Sequence, residues 1–428
     1  MKIRLFTKFN SKIIIYAMII FVCMIRFLET LGLPHASIFL LDGFNLILLI
    51  NLIRENKLFK IVSKPVGLFH ILILFIGMIT SVVNFVEPIL VIWALRNILR
   101  FEIFFGACLS FLSEEDIKEI IKILKIIFFV NAVLFIGQYA LGYRGDFLGG
   151  IFGTTTGANS YCNIFFLIIC TYETVLWFER KEKTKNFMFY IGFSLVASAL
   201  CEMKIFFVEI VAIVFFVFFI ICLVEKKYKI IVKGIIFTIV GGIALFFGIQ
   251  LMIKLYPNFA NFFTIEGFLY HTTRESGYSG SGDLNRLTAI HTINNKLFND
   301  SSILKIFGMG LGSTEYSTSI SFLASNFYQG YEYLHYYWLS HAWMYLECGL
   351  IGLVGYIMGF IATGFVGTKE IKKLKNEKRS TEYAITGVVI SFLCIILYLY
   401  NQSLRLECAY LLYFCLAAIF IGGSKKNV

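Results

Sequence analysis

Long apolar segments separated by short polar ones recur along almost the whole chain. A helix needs about 20 mostly apolar residues to cross the hydrocarbon core of a membrane. The pattern therefore predicts about twelve membrane-spanning helices. Their expected bounds are residues 13–31, 36–53, 66–84, 89–111, 121–142, 161–178, 187–201, 205–224, 233–255, 337–365, 383–401 and 406–423. The apolar runs are continuous rather than alternating, which disfavours a β-barrel.

Basic residues divide the predicted loops into two alternating sets. Lys and Arg concentrate in residues 2–12, 54–64, 180–185, 226–229, 369–379 and 425–426. Cytoplasmic loops of membrane proteins carry such an excess, so this set and both termini are expected inside the cell. Counting the short "EMK" stretch as a turn between two spans keeps the alternation, and the basic N-terminus predicts an uncleaved signal anchor.

One long polar segment lies in the other set of loops, which is expected to face outward. The chain is thus divided into nine helices in 1–255, a large external loop in 256–338 and three helices in 339–428. Apolar residues at helical spacing, Leu287, Ile290, Ile293 and Leu297, predict a short amphipathic helix in the loop. The loop is therefore expected to form a small helical cap.

Composition supports a membrane protein and weakens other readings. Hydrophobic residues make up 58% of the 428 positions, which a soluble globular protein does not reach. The formal net charge of +11 raises the question of nucleic-acid binding. Because the basic residues lie mostly between apolar runs, topology explains them, and no nucleic acid is expected. The ten Cys are scattered without metal-binding spacing and are expected to be buried apolar residues.

Several cations lie within or beside predicted spans, where charge is costly and often functional. Arg96 and Arg100 are one helical turn apart and share a face, which suits a diphosphate. The alternative is pairing with Glu87, Glu102 or a carboxylate of another helix. Lys204 could equally extend to the membrane interface or contact phosphate.

The remaining candidates lie in loops. Arg144 opens a Gly- and Thr-rich loop whose amides could hold an anion, and Asn159 could cap or line the next helix. Arg286 and His291 lie in the predicted cap helix, where a solvated face is the alternative. The glycines of "FGMGLGS" lack a dinucleotide-binding context and are expected to allow close backbone approach.

His341 stands where an apolar helix begins, directly after the large loop. It could be an interfacial residue or a general base near neutral pH. Glu347 lies on a different face of the same helix. Gly349, Gly352 and Gly355 predict close packing against another helix.

These features in combination resemble the O-antigen polymerase and ligase superfamily of bacterial surface-polysaccharide assembly. "RLTAIHTINNKLFNDSSILKIFGMGLGS" and "SHAWMYLECGLIGLVGY" resemble its arginine-to-glycine and histidine-to-glycine segments. "GIFGTTTGANSYCNIFF" and "SALCEMKIFF" are similar to an earlier loop-to-helix stretch and a basic turn. The likeness covers about residues 150–356. Ala342 follows the histidine, where ligases often have Asn, Ser or Gln, and this favours a polymerase.

The resemblance implies an all-α membrane glycosyltransferase with a GT-C-like fold in the bacterial inner membrane. It would join polyprenyl-diphosphate-linked oligosaccharides on the outward face, without a metal or other cofactor. Arg286, Lys204, Arg144, Arg96 and Arg100 would bind the diphosphate, and His341 and Arg286 would be catalytic. The residues expected near the glycan are Asn159, His291, His335 and Tyr336. Membrane lipids and a chain-length regulator protein are the other expected partners.

Three alternatives remain at this point. The first is a ligase that transfers polymer to a lipid A core, which has the same architecture and chemistry. The second is a flippase for lipid-linked oligosaccharides, but polar groups gathered at one side favour the enzyme. The third is a non-catalytic assembly protein, in which changes at His341 or Arg286 would have little effect.

Overall fold

The computed structural model describes residues 10–155, 157–225, 282–299, 301–317 and 320–422, with isolated positions between 226 and 281. Within these residues the regular structure consists of fourteen α-helices and short 3-10 turns, without strands. Eight of the described helices are long and apolar enough to cross a membrane. The prediction of an all-helical, multi-pass membrane protein is confirmed. Most of the predicted span 233–255 and most of residues 256–281 lie outside the described part.

Eleven of the described helices coincide with predicted spans, and three short ones lie in the predicted cap. The first eight are α1 (Ser11–Thr30), α2 (Leu40–Arg54), α3 (Pro65–Val83), α4 (Pro88–Phe111), α5 (Glu114–Ala140), α6 (Ala158–Phe178), α7 (Thr184–Leu200) and α8 (Lys204–Glu225). The cap contains α9 (Ala289–Lys296), α10 (Ser302–Phe307) and α11 (Asn326–Tyr331). The chain continues through α12 (Ser340–Asn376), α13 (Glu382–Tyr400) and α14 (Ala409–Ile421). Helices α7 and α8 are separated by a turn, as predicted for the "EMK" stretch.

Helix α14 lies at the centre of the bundle. Every one of its 13 residues is buried, and it packs against α1, α4, α6, α12 and α13. A helix that is apolar on all sides belongs in the interior, and "AYLLYFCLAAIFI" has that composition. Most of α6 is buried as well. The other spans surround these two helices.

Contacts between loops place the two predicted loop sets at opposite ends of the bundle. Three ion pairs join the basic set: Lys12–Asp116 at 2.7 Å, Lys181–Glu382 at 2.8 Å and Arg379–Glu114 at 3.1 Å. We call this end the basic end. At the other end, which we call the cap end, the Ser340 hydroxyl donates to the Asn401 carbonyl at 2.7 Å. The alternation inferred from charge is therefore also present in the packing.

Helix α12 is broken at Gly349, which has non-helical torsions of φ 59° and ψ −155°. A break leaves carbonyl groups without their intrahelical partners. The amides of Met309 and Gly310 donate to the carbonyls of Leu346 and Glu347 at 2.8 and 2.9 Å. The segment 308–314, which we call the glycine loop, thus satisfies backbone groups beside the break.

Glycines let this loop approach so closely. Gly308, Gly310 and Gly312 all have positive φ, between 74° and 100°. A Cβ on Gly308 would lie 2.5 Å from the Glu347 carbonyl carbon, and one on Gly310 would lie 2.7 Å from Ser81 Cα. The prediction that these glycines permit close backbone approach is confirmed.

Glu347 anchors the same loop with its side chain. One carboxylate oxygen accepts from the amides of Gly312 and Thr314 at 3.1 and 3.3 Å, and from the Thr314 hydroxyl at 3.0 Å. Both Glu347 and Thr314 are buried. The carboxylate therefore has a structural role that sequence reasoning did not assign.

The packing seam predicted from the glycines of α12 lies against α3. A Cβ on Gly355 would meet Ile73 at 3.0 Å, and one on Gly359 would meet the His70 ring at 3.1 Å. Gly355 thus packs as predicted, whereas Gly349 forms the break itself. In the same seam, His70 Nδ1 lies 2.6 Å from Glu102 Oε1, and neither side chain is exposed.

Substitution of Gly349 by alanine should destabilise the protein. Positive φ strains an alanine, and its Cβ would lie 2.5 Å from the Ile306 carbonyl. We expect a loss of at least about 2 kcal/mol in unfolding free energy, measured as thermal or denaturant unfolding in detergent. Gly192→Ala in α7, where a Cβ meets nothing within 4 Å, is the control and should be neutral or slightly stabilising. Equal effects of both changes would contradict the role of Gly349.

Candidate functional site

Arg286 and His341, distant in sequence, meet at the cap end. His341, in the first turn of α12, places Nε2 at 3.0 Å from the Arg286 carbonyl oxygen. Arg286 lies in the turn before α9; its Nε donates to the Tyr400 carbonyl at 2.9 Å, and its guanidinium stands over the Tyr400 ring. The beginning of the cap helix, the beginning of α12 and the end of α13 are thereby joined.

Lys204 lies near this junction. It interacts electrostatically with Arg286, Glu202 and Asp146. Asp146 is exposed and accepts a hydrogen bond from Asn159. Loops from three parts of the chain thus contribute charged groups to one surface. We call Arg286, His341, Lys204, Glu202 and Asp146 the candidate site.

The contact with Arg286 constrains the chemistry of His341. A carbonyl oxygen only accepts hydrogen bonds, so Nε2 carries the proton in this arrangement. The side chain is only 3% exposed. His341 therefore holds the peptide group of Arg286 in place through Nε2. In this tautomer the nitrogen that could accept a proton is Nδ1, which is buried. The catalytic role of His341 stays a prediction.

Arg96 pairs with a carboxylate of another helix, and Arg100 pairs with one in the turn before α14. Arg96 Nε donates to Asp42 of α2 at 2.9 Å, and Arg100 Nη1 donates to Glu407 at 3.0 Å. Of the two possibilities that the sequence left open for these arginines, pairing with carboxylates is the one found in this structure. Glu102, which the sequence offered as a possible partner of these arginines, contacts His70 instead. In this conformation the two arginines serve the packing of the bundle.

The Arg100 pair belongs to a larger buried network at the cap end. Glu407 also accepts from the Tyr161 hydroxyl, and Arg26 donates to that hydroxyl at 3.1 Å. Although burial opposes ionisation, Arg100 and Arg26 hold the pKa of Glu407 down to about 2. Glu407 is therefore charged near neutral pH and fixes α1, α4 and α6 to the start of α14.

A second carboxylate network lies beside it. Arg405 donates to Glu315 at 3.1 Å and stacks on the Trp343 ring, and Asn97 donates to Glu315 at 3.1 Å. Burial raises the pKa of Glu315 to about 7, with a further rise from the Glu347 carboxylate and opposition from Arg405. This carboxyl can therefore change its charge near neutral pH.

Sequence reasoning missed Arg405 and Glu407. Both lie in "NQSLRLE", the short turn between two apolar runs. The rule that charge beside a span needs an explanation, which selected Arg96 and Arg100, would also have selected them. Their partners could not be read from sequence, because Glu315 lies 90 positions from Arg405.

The other residues predicted for the site lie apart from its contacts. The Arg144 guanidinium donates to the carbonyls of Tyr139 and Tyr143. His291 is exposed on α9 and contacts Asn295 at 2.9 Å. His335 stacks on Trp338 with ring centroids 3.9 Å apart. Tyr336 is fully buried and donates its hydroxyl to the Thr314 carbonyl at 2.7 Å. Their proposed contacts with substrate stay predictions.

Within the described residues, no group of three or more His, Cys, Asp or Glu is arranged to hold a metal ion. Nine of the ten cysteines are buried, as expected for small apolar residues.

Comparison with known proteins does not assign this chain to a family. No protein-family model matches the chain, and no curated protein matches it.

Removal of Arg100 should test its structural pairing. Arg100→Ala leaves the buried Glu407 without its closest cation, so we expect a loss of about 3–5 kcal/mol in unfolding free energy. Arg96→Ala is the control, because its pair with Asp42 is partly exposed and should contribute about 1 kcal/mol or less. Unfolding in detergent measures both. If Arg100→Ala unfolds like wild type, Arg100 does not stabilise the bundle.

Glu315 should make stability depend on pH. Its pKa is raised from 4.5 to about 7, so the folded protein keeps a proton that the unfolded chain has lost. Stability therefore falls as pH rises through this interval. Relative to Glu315→Gln, the wild-type unfolding temperature should fall by a few °C, in order of magnitude, between pH 5 and pH 7.5. Glu407→Gln, whose carboxyl is charged throughout this range, should retain the wild-type slope. Parallel curves for wild type and Glu315→Gln would refute the assignment.

Proposed function

We propose that this protein is a membrane glycosyltransferase that polymerises oligosaccharide repeats carried on polyprenyl diphosphate. The observation that supports it most is the contact between His341 and the Arg286 backbone, with Lys204 close by. These residues come from the two segments and the basic turn that resemble the polymerase and ligase superfamily. Their convergence is what a shared site requires.

In this proposal, Arg286 and Lys204 bind the diphosphate of the donor. The acceptor hydroxyl attacks the anomeric carbon of the donor sugar, and the bond from that carbon to the diphosphate oxygen breaks. The bonding electrons leave with the diphosphate. A positioned guanidinium and ammonium stabilise the charge that develops on this leaving group.

His341 has two successive tasks in this proposal. In the substrate-free arrangement it fixes the Arg286 peptide group through Nε2. Substrate binding then opens access to the buried Nδ1, which is unprotonated while Nε2 donates, and Nδ1 accepts the proton lost by the acceptor hydroxyl. Asp146 presents an exposed carboxylate on the same surface and accepts hydrogen bonds from acceptor hydroxyl groups.

Complementation of a deletion strain tests the function. Arg286→Ala and His341→Ala should abolish the long-chain ladder of surface polysaccharide and leave single capped repeats. Lys296→Ala is the matched control, since Lys296 is exposed on the same cap helix and should leave the ladder intact. With purified protein, we expect transfer to fall at least about 100-fold in both site variants. A normal ladder from Arg286→Ala and His341→Ala, expressed at wild-type levels, would refute the proposed site.

The same strain separates the polymerase from a ligase. Loss of a ligase leaves full-length polymer that is not attached to its lipid A acceptor, whereas loss of a polymerase leaves single attached repeats. Purified protein and a lipid-linked repeat, assayed with and without a chelator, test metal independence. Loss of transfer in the chelator would contradict that part of the proposal.

A further inference from the structure

The connection between α2 and α3, at the basic end, exposes apolar side chains next to lysines. It contains a short 3-10 helix, Leu58–Lys60. Leu58, Phe59 and Val62 are 45%, 59% and 39% exposed. An apolar surface of this kind at the end of a membrane bundle is suited to the lipid interface.

Aromatic rings hold the lysines of this connection in place. Each ammonium stands over a phenylalanine ring: Lys57 over Phe111 at 5.0 Å, Lys60 over Phe59 at 5.3 Å and Lys64 over Phe420 at 4.3 Å. Lys57 also pairs with Glu55 at 2.8 Å. Within the described part of the chain, Lys60 and Lys64 have no carboxylate within 4.0 Å.

A lysine of α12 completes the cluster. Burial lowers the pKa of Lys64, and the positive charges of Lys60 and Lys373 lower it further, while Glu370 opposes the shift. Lys373 lies 3.8 Å from that same Glu370. The ammonium groups of Lys64 and Lys373 thus lie near the Glu370 carboxylate, and that of Lys60 lies near Lys64. This excess of positive charge favours binding of an anion.

We propose that Lys60, Lys64 and Lys373 form a binding site for the phosphate headgroup of an anionic phospholipid. The lipid's acyl chains lie on the exposed side chains of Leu58, Phe59 and Val62. The proposal is independent of the proposed function.

Three features favour a lipid. The cytoplasmic leaflet, where positive-inside topology places this end, is rich in anionic lipids. The lysines adjoin exposed apolar surface, which a soluble anion would leave in water. Helix α3 begins at Pro65, directly after Lys64, so the positive end of its dipole adds to the lysine field.

The site would also join separate elements. Lys60 and Lys64 precede α3, whereas Lys373 is near the end of α12. These two helices share the seam formed by Gly355 and Gly359. A bound headgroup therefore links α3 to α12 at the basic end, on the side opposite the candidate site.

Lipid titration of the full chain in a neutral detergent tests this site. Phosphatidylglycerol and phosphatidylcholine are added separately, and binding is followed by native mass spectrometry and by the unfolding temperature. The test variant is Lys60→Gln/Lys64→Gln/Lys373→Gln. The control, Lys118→Gln/Lys122→Gln/Lys183→Gln, removes the same charge from exposed lysines elsewhere in the protein.

Wild type and control should bind phosphatidylglycerol and be stabilised by it. The test variant should bind it on the order of 100-fold more weakly, and added salt should weaken the wild-type interaction. Binding within twofold of wild type in the test variant, or equal loss in the control, would overturn the proposal. So would phosphatidylcholine binding as tightly as phosphatidylglycerol, or inorganic phosphate at the same concentration giving the same stabilisation.

Discussion

The break at Gly349 depends on a constraint that a membrane imposes, because backbone groups away from water must find partners within the protein. The glycine loop supplies them, and Glu347 fixes that loop through its side chain. The loop's exit is held in turn, since the Ser325 amide donates to the Glu315 carbonyl. The break in α12 therefore fixes the position of the glycine loop, and through it the cap segment that leads to the first turn of α12.

The charged groups of the cap end fall into two classes. Arg96 and Arg100 are paired with carboxylates and join helices, whereas Lys204 and Arg286 lie together beside exposed Asp146. Sequence placed all four in one group of candidate phosphate ligands. The structure separates the residues that hold the bundle together from those that lie together at the surface.

Hydropathy and charge alternation predicted the helices well, because each property is local in sequence. The glycine loop was predicted in kind, since closely spaced glycines report backbone approach even when the neighbour is unknown. The partners of Arg100, Glu347 and Arg405 could not be predicted, because each lies many residues away and depends on how the helices pack. His341 was located correctly at a helix mouth, but its contact with Arg286 depends on the fold of the cap.

The central helix α14 has a consequence for how the protein is made. At 13 residues it is about 20 Å long, shorter than a hydrocarbon core of about 30 Å. It also lacks a lipid-facing side, since all its residues are buried. It therefore suits a cavity already formed by earlier helices better than the bilayer itself. During assembly of this bundle, α14 is therefore expected to insert into a centre that the preceding helices already enclose.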